Sequence, residues 1–570
     1  MLLGIAFVAA SNYFGVLIPQ QIREALDYVA EQLQLFKDGS VAAGGDINKV
    51  LIVFALTIVG FVIIKGLLMY AMRQTIIVMS RLIEHDLRDE IFSHLETLDL
   101  SFYKRSKTGD LMARISEDVN KVRMYLGPSI LYGINITTLF TMTIYAMFHV
   151  NTTLAIYTLL PLPILSLSIY IVSSMINKRS TRIQQQLSVL NSTAQEVYSG
   201  IRVVKSYVKE NQFSLYFQDQ NDDFMDKSLS LARINAFFFP LMILLISAST
   251  LLTIIIGGIQ VSKGLATPGN IAEFVIYVNM LTWPVTSIGW IASLIQQAEA
   301  SQGRINELLH TQPEITSHVK EDIPLKGDIL FDNVSFTYAD SGIKALQNIS
   351  FELKQGQKMA IIGMTASGKS SIADLMLRLF DVTDGQIIID GKNIKDHDLY
   401  NLRRRIGYVP QDVFLFSDTV KNNIKFGSPD ASDAIVQKFA DYASVHDDIM
   451  ELPKKYETLV GERGVSLSGG QKQRISIARA FLKSPDIIIM DDSLSAIDTN
   501  TENKILSYLE EALSDKTAII ITHRIYNLLD FDKIIVLEDG RIMEDGTHTE
   551  LINKGGLYAD LYEQQNAIEA

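Results

Sequence analysis

Leu467-Ser468-Gly469-Gly470-Gln471 decides how the second half of this 570-residue chain is read. A serine and two glycines open a stretch, 472–482, that reads as a helix. A helix N-terminus with unhindered N–H groups is an anion site. Upstream, Gly363-Met364-Thr365-Ala366-Ser367-Gly368-Lys369-Ser370 satisfies the phosphate-loop pattern GxxxxGK[ST]. Downstream, Ile487-Ile488-Ile489-Met490 ends in Asp491-Asp492, and a second apolar run, 517–522, is followed by His523. Short Gly-rich matches arise by chance. All four parts in this order do not.

The surroundings of the phosphate loop agree with that reading. Residues 327–338 and 349–353 read as strands, and 359–362 is a short apolar strand running straight into the loop. Residues 370–380 continue as a helix. Strand, loop, helix is the context the motif requires. Backbone N–H groups and the helix N-terminus would bind phosphates, and Lys369 would add a point charge. The Ser370 hydroxyl is placed for Mg²⁺. Asp491, ending a buried strand, is expected to hold the same ion through water.

The first half is different. Residues 1–300 hold long apolar runs, and six stretches are long enough to cross a bilayer, which takes about 20 residues each. They lie near 1–25, 48–72, 127–149, 152–176, 236–260 and 270–296. The third and fourth form a tight hairpin around 149–151. Pro161, Pro163 and Pro284 fall inside spans, where neighbouring helices can satisfy the freed carbonyls. The segment 73–125 carries nine Lys/Arg and 178–234 carries eight, whereas the other loops carry one at most. The positive-inside rule therefore puts these two segments in the cytoplasm. Both read as long helix pairs reaching about 35–40 Å from the membrane. Lys65, near the cytoplasmic end of its span, is expected to snorkel. Asn135, Glu273, Asn279 and Trp283 face a central cavity, form interhelical hydrogen bonds or anchor at the interface.

A net charge of −13 argues against nucleic-acid binding. With no cysteine there is no disulfide framework, thiolate zinc site, Cys nucleophile or fused cysteine peptidase. No basic n-region precedes the apolar residues 1–18, so no cleavable signal peptide is expected. The chain reads as starting inside its first membrane helix, and Met1 is not expected to be the native start.

Taken together, these motifs resemble the nucleotide-binding domain of an ATP-binding cassette (ABC) transporter, with LSGGQ as the family's signature. The whole chain is similar to the half-transporters of the exporter branch. The resemblance implies a six-helix all-α transmembrane domain over 1–310, a linker at 311–326, and an α/β P-loop nucleotide-binding domain over 327–570. It implies ATP and Mg²⁺ as ligands, ATP hydrolysis coupled to transport, and a dimer of half-transporters in a lipid bilayer. A hydrophobic drug, lipid or peptide is the expected cargo, and a bacterial inner membrane the expected location. Phe102-Tyr103-Lys104 through Thr108-Gly109-Asp110-Leu111, and 200–207, resemble the loop tips that dock on nucleotide domains.

Residue by residue, the resemblance implies that Tyr338 stacks on adenine with its phenol edge in water. Residues Gly363, Met364, Thr365, Ala366, Ser367, Gly368, Lys369, Ser370 and Ser371 would cradle the phosphates. Ala366 stands where relatives usually have Gly. Ser468, Gly470 and Gln471 would face the γ-phosphate bound to the other domain. Gln411 resembles the glutamine that senses metal and attacking water, joining Ser370 and Asp491 as metal residues. His523 resembles the switch histidine. The stretch 460–464 resembles a cross-linking loop, and Ser495-Ala496-Ile497-Asp498 the D-loop. Asp492 stands where the family usually has the glutamate that polarises water. A carboxylate about 1–1.5 Å out of place loses roughly 100-fold in rate. Asp492 thus fits either a slowly hydrolysing homodimer, the preferred reading, or the degenerate half of a heterodimer. A membrane regulator that binds ATP without pumping is a further alternative. Six apolar spans exclude a soluble cassette ATPase.

Overall fold

The computed structural model describes residues 1–37, 47–317, 319–461, 467–494, 499–513, 515–525 and 530–569. The chain divides into two compact units. One comprises Met1–His94 and Gly109–Thr311, the other Leu95–Thr108 and Gln312–Ala570.

The first unit is helical. Among the described residues, six helices are long and apolar enough to span a membrane: Leu2–Lys37, Ile47–Thr97, Thr108–Val150, Thr152–Ser199, Glu210–Ser262 and Pro268–Leu309. All six expected spans fall inside them. The third run widens into π-helical turns at Arg114–Asp118 and Tyr125–Ser129. The second holds Pro128, which lacks an N–H and crowds the preceding turn. Asn151 makes the tight hairpin: it leaves helical backbone, and its side chain accepts from Leu154 N–H at 2.9 Å. Met147, Leu154, Leu165, Phe274, Tyr277 and Leu281 pack as one fully buried cluster.

Several buried polar groups inside this unit are paired with one another. Glu273, fully buried, takes an ion pair from Arg23 at 3.1 Å and a hydrogen bond from Tyr277 Oη at 2.9 Å. It is structural rather than cavity-facing. The Asn135 carbonyl accepts from Asn12 at 3.1 Å, and Asn279 bonds back to Val275 on its own helix. Trp283 packs edge-on to Tyr132 at 5.4 Å. Lys65 lies against the first helix, its Nζ 3.2 Å from where a Gly15 Cβ would be. The missing Cβ at Gly15 leaves the groove that receives it.

The second unit is α/β. Its strands are β1 (Ile329–Thr337), β2 (Lys344–Leu353), β3 (Lys358–Ile362), β4 (Asp384–Ile389), β5 (Lys392–Asn393), β6 (Ile406–Val409), β7 (Ile487–Asp491), β8 (Thr517–Thr522), β9 (Lys533–Glu538) and β10 (Arg541–Gly546). An antiparallel sheet runs β2-β1-β4-β5, and a larger one runs β10-β9-β3-β8-β7-β6. In the larger sheet β3, β6, β7, β8 and β9 are parallel. Strands covered on both faces read as continuous apolar runs, as Ile487–Met490 does at 0% exposure. Each such isoleucine contributes about 1.5–3 kcal/mol on burial. The β3–β8 register pairs Ile362 with Thr522, and β7–β8 pairs Asp491 with Ile521. The carboxyl ends of β3, β7 and β8 therefore finish side by side, the edge where open α/β sheets bind ligands.

Two expected helices shift. The helix after the phosphate loop spans Lys369–Met376, shorter than expected, because Arg378 turns left-handed at φ 47°. The signature helix begins earlier, at Gly469, because Ser468 and Gln471 close a capping box.

Candidate functional site

Gly363 follows β3 where a side chain would collide with the Leu537 carbonyl, and Gly368 turns left-handed at φ 98° against the Ala345 carbonyl. These contacts explain two of the motif's glycines. Ala366 also has positive φ, 67°. A residue with a Cβ costs about 1–2 kcal/mol there. Ala366→Gly is expected to raise stability by about 1 kcal/mol, visible as a higher unfolding midpoint in detergent.

Strand ends and loop enclose a cleft of about 500 Å³. Tyr338, Thr365, Ala366, Ser367, Gly368, Lys369, Ser370, Ser371, Gln411, Asp491, Asp492 and His523 line it, and Gly363 and Met364 form the loop's entry beside it. Lys369 Nζ donates to the Gly363 and Met364 carbonyls at 2.7 Å each. Burial pulls its pKa down, against the pull of Asp492 and Asp491. Asp491, at the buried end of β7, has its pKa raised by desolvation, which a hydrogen bond from Ser370 partly offsets.

Asp492 stands one residue beyond, with φ 45°. Its Oδ1 lies 2.8 Å from His523 Nδ1, and its Oδ2 accepts from Gln411 Nε2 at 3.4 Å. The three residues come from three chain segments, and the shorter carboxylate meets both partners.

Tyr338 departs from expectation at its phenol edge. The hydroxyl is not left in water: it bonds Ser371 Oγ at 3.0 Å and Asp374 Oδ2 at 3.3 Å. Desolvation raises the pKa of both the phenol and Asp374. Asp374 escaped the reading of the sequence. It lies three residues after Ser371 on one helix, so the two share a face and meet the same hydroxyl.

Ser468, Gly470 and Gln471 do not line this cleft. Ser468 Oγ accepts from Gln471 N–H at 3.2 Å, and Gln471 Oε1 accepts from Ser468 N–H at 3.0 Å. Gln471 also donates to Asp448 at 3.1 Å. Ser468 and Gly469 are exposed at the start of a 14-residue helix. Of the exporter-type loop, 462–464, and of the D-loop, 495–498, nothing further is described, since both lie outside the described residues. The first loop tip forms a short helix, Leu100–Arg105, within the nucleotide-binding unit. The second, Ile201–Ser206, belongs to the helical unit.

A phosphate loop on a parallel sheet, on one chain with six membrane-length helices, defines a membrane-embedded nucleotide triphosphatase. Comparison narrows the class. The ABC transporter transmembrane region matches residues 1–285, and the ABC transporter domain matches 346–495. A probable multidrug resistance ABC transporter ATP-binding/permease protein, YheI of Bacillus subtilis, is 37% identical over 100% of this chain and 95% of its own. The multidrug resistance-like ATP-binding protein MdlA of Escherichia coli is 36% identical over 89% of this chain and 86% of its own. A bacterial Atm1-family ABC exporter solved with ATP bound superposes at a TM-score of 0.78, with 26% identity, covering 98% of each chain. The chain belongs to the ABC transporter family. It is a multi-pass membrane protein that binds ATP and couples ATP hydrolysis to export.

Proposed function

We propose that two copies of this chain form an exporter that moves a hydrophobic or amphipathic drug, lipid or peptide out of a bacterial cell across the plasma membrane. One observation carries the dimer. The exposed Ser468 helix N-terminus lies outside the cleft whose phosphates it would contact, and in this reading a second copy brings its own Ser468 and Gly470 to that cleft. Binding of ATP then draws two nucleotide-binding units together head to tail. The basic segments 73–125 and 178–234 favour a cytoplasmic nucleotide-binding unit.

In this reading Lys369 exchanges its loop carbonyls for the ATP phosphates. Asp492 orients and polarises the attacking water, with Gln411 and His523 holding its carboxylate. Ser370, Asp491 and Gln411 offer the hard oxygen donors that suit Mg²⁺, and a hydrogen bond already brings Ser370 and Asp491 together. Bound there, Mg²⁺ would supply positive charge to the phosphate oxygens. Catalysis is otherwise positioning and charge stabilisation. The names of the relatives, which speak of multidrug resistance, favour an apolar cargo.

A second reading rests on Asp492: as the shorter acid it suits the weak site of a heterodimer, with its intact signature serving a partner chain. The test is transport by the chain alone in inside-out vesicles. ATP-dependent accumulation of a hydrophobic cationic dye, absent from Lys369→Ala vesicles, is expected. A folded dimer that binds ATP but accumulates no dye and hydrolyses nothing would favour the heterodimer.

A further inference from the structure

The segment Leu95–Thr108 belongs to the nucleotide-binding unit, and it is firmly attached there. Asp99 caps the helix Leu100–Arg105 by accepting from Phe102 N–H at 3.1 Å, and its other oxygen takes Glu314 N–H at 2.7 Å. The Glu314 carboxylate answers by accepting from Ser101 at 3.2 Å and from Arg105 at 3.0 Å. Between these anchors stands Lys104. Its ammonium lies 4.2 Å from the centre of the Tyr338 ring and 4.6 Å from that of Phe380. The same tyrosine reaches Ser371 of the phosphate-loop helix through its hydroxyl and lines the cleft. The Lys104 charge also opposes the burial that pushes up the pKa of Asp374, the tyrosine's other partner.

We propose that Lys104 is a positioning residue for nucleotide binding: seated on the ring of Tyr338, it holds that ring where the base of ATP stacks. The inference rests on the base-stacking role given to Tyr338 above. A ring tethered at its hydroxyl alone can still pivot about that bond. A cation on its face, held by a helix that is itself pinned at both ends, removes that freedom before ATP arrives. The arrangement is reciprocal: whatever Lys104 adds to ATP affinity, ATP adds to the seating of 95–108. That segment is the direct continuation of the helix Ile47–Thr97, so occupancy of the base site is felt by a chain segment that leads into the membrane spans.

The measurement is the affinity of the full-length protein in lipid nanodiscs, read by displacement of a fluorescent ATP analogue with ATP and with inorganic tripolyphosphate. Lys104→Met is expected to weaken ATP roughly 2- to 5-fold, the size of one exposed cation–π contact. Tripolyphosphate, which has no base, is expected to bind unchanged. Lys104→Arg restores ATP affinity, since a guanidinium also sits on a ring face. In a Tyr338→Leu background, Lys104→Met has no further effect. The proposal falls if Lys104→Met leaves ATP affinity unchanged while Tyr338→Leu weakens it. It also falls if Lys104→Met weakens ATP equally with and without Tyr338, or weakens tripolyphosphate as much as ATP. If Tyr338→Leu itself leaves ATP affinity unchanged, the stacking role is wrong and the proposal goes with it.

Discussion

Lys369→Ala is expected to lower ATP turnover of the reconstituted protein by roughly 10²–10³-fold, the loss seen when one preorganised charge-stabilising donor is removed from a reaction centre. The geometry supports a large effect. The ammonium is held by the Gly363 and Met364 carbonyls, at 2.7 Å each, inside a cleft that partly desolvates it. Desolvation strengthens its attraction for phosphate. The two carboxylates Asp491 and Asp492 share the cleft, and without the lysine their charge would repel a triphosphate. Alanine also leaves the carbonyls of residues 363 and 364 without their cation. The measurement is phosphate release at saturating ATP in liposomes, with the unfolding midpoint checked in parallel. A variant that folds and keeps more than a tenth of the turnover would show that the backbone N–H groups of the loop suffice.

Much of this site was legible in the sequence because it is built on backbone geometry. Residues 363–370 must follow a strand and precede a helix, and Asp491 must end a buried strand, so pattern alone located them. The six spans were legible for a similar reason, since a bilayer demands length and apolarity and little else. What the sequence did not disclose depends on which side chains meet across the fold. Nothing near Asp374 or Lys104 in the chain points to Tyr338, more than 30 and 200 residues away, yet the three form one cluster. The seating of Lys65 against the first helix depends on a glycine there, and local hydropathy cannot register that. The signature helix starts before residue 472, where the sequence reading placed it, because the Ser468–Gln471 capping box makes the glycines its first turn.

Asp492→Glu is expected to raise turnover about tenfold, and Asp492→Asn to lower it by about 10²-fold. The second figure follows from removing a positioned general base, which contributes typically about 10²–10⁴-fold. The first has two opposing parts. Lengthening the side chain by one methylene carries the carboxylate about 1–1.5 Å further into the cleft, and misplacement on that scale costs up to roughly 100-fold. Against this, residue 492 has φ 45°, a conformation that aspartate adopts more readily than glutamate. The longer acid must also keep or surrender the 2.8 Å contact with His523 and the 3.4 Å contact with Gln411 that now fix the shorter one. Full recovery of the lost factor is therefore not expected. Steady-state ATP turnover of the three proteins, each expressed alone in lipid, decides the matter. A gain with Glu and a loss with Asn identify residue 492 as the group that polarises water in a homodimer working below its capacity. No turnover in any of the three, in proteins that still bind ATP, would mean that this cleft does not carry the chemistry and that the cleft of a missing partner chain, completed by the Ser468 signature of this chain, does.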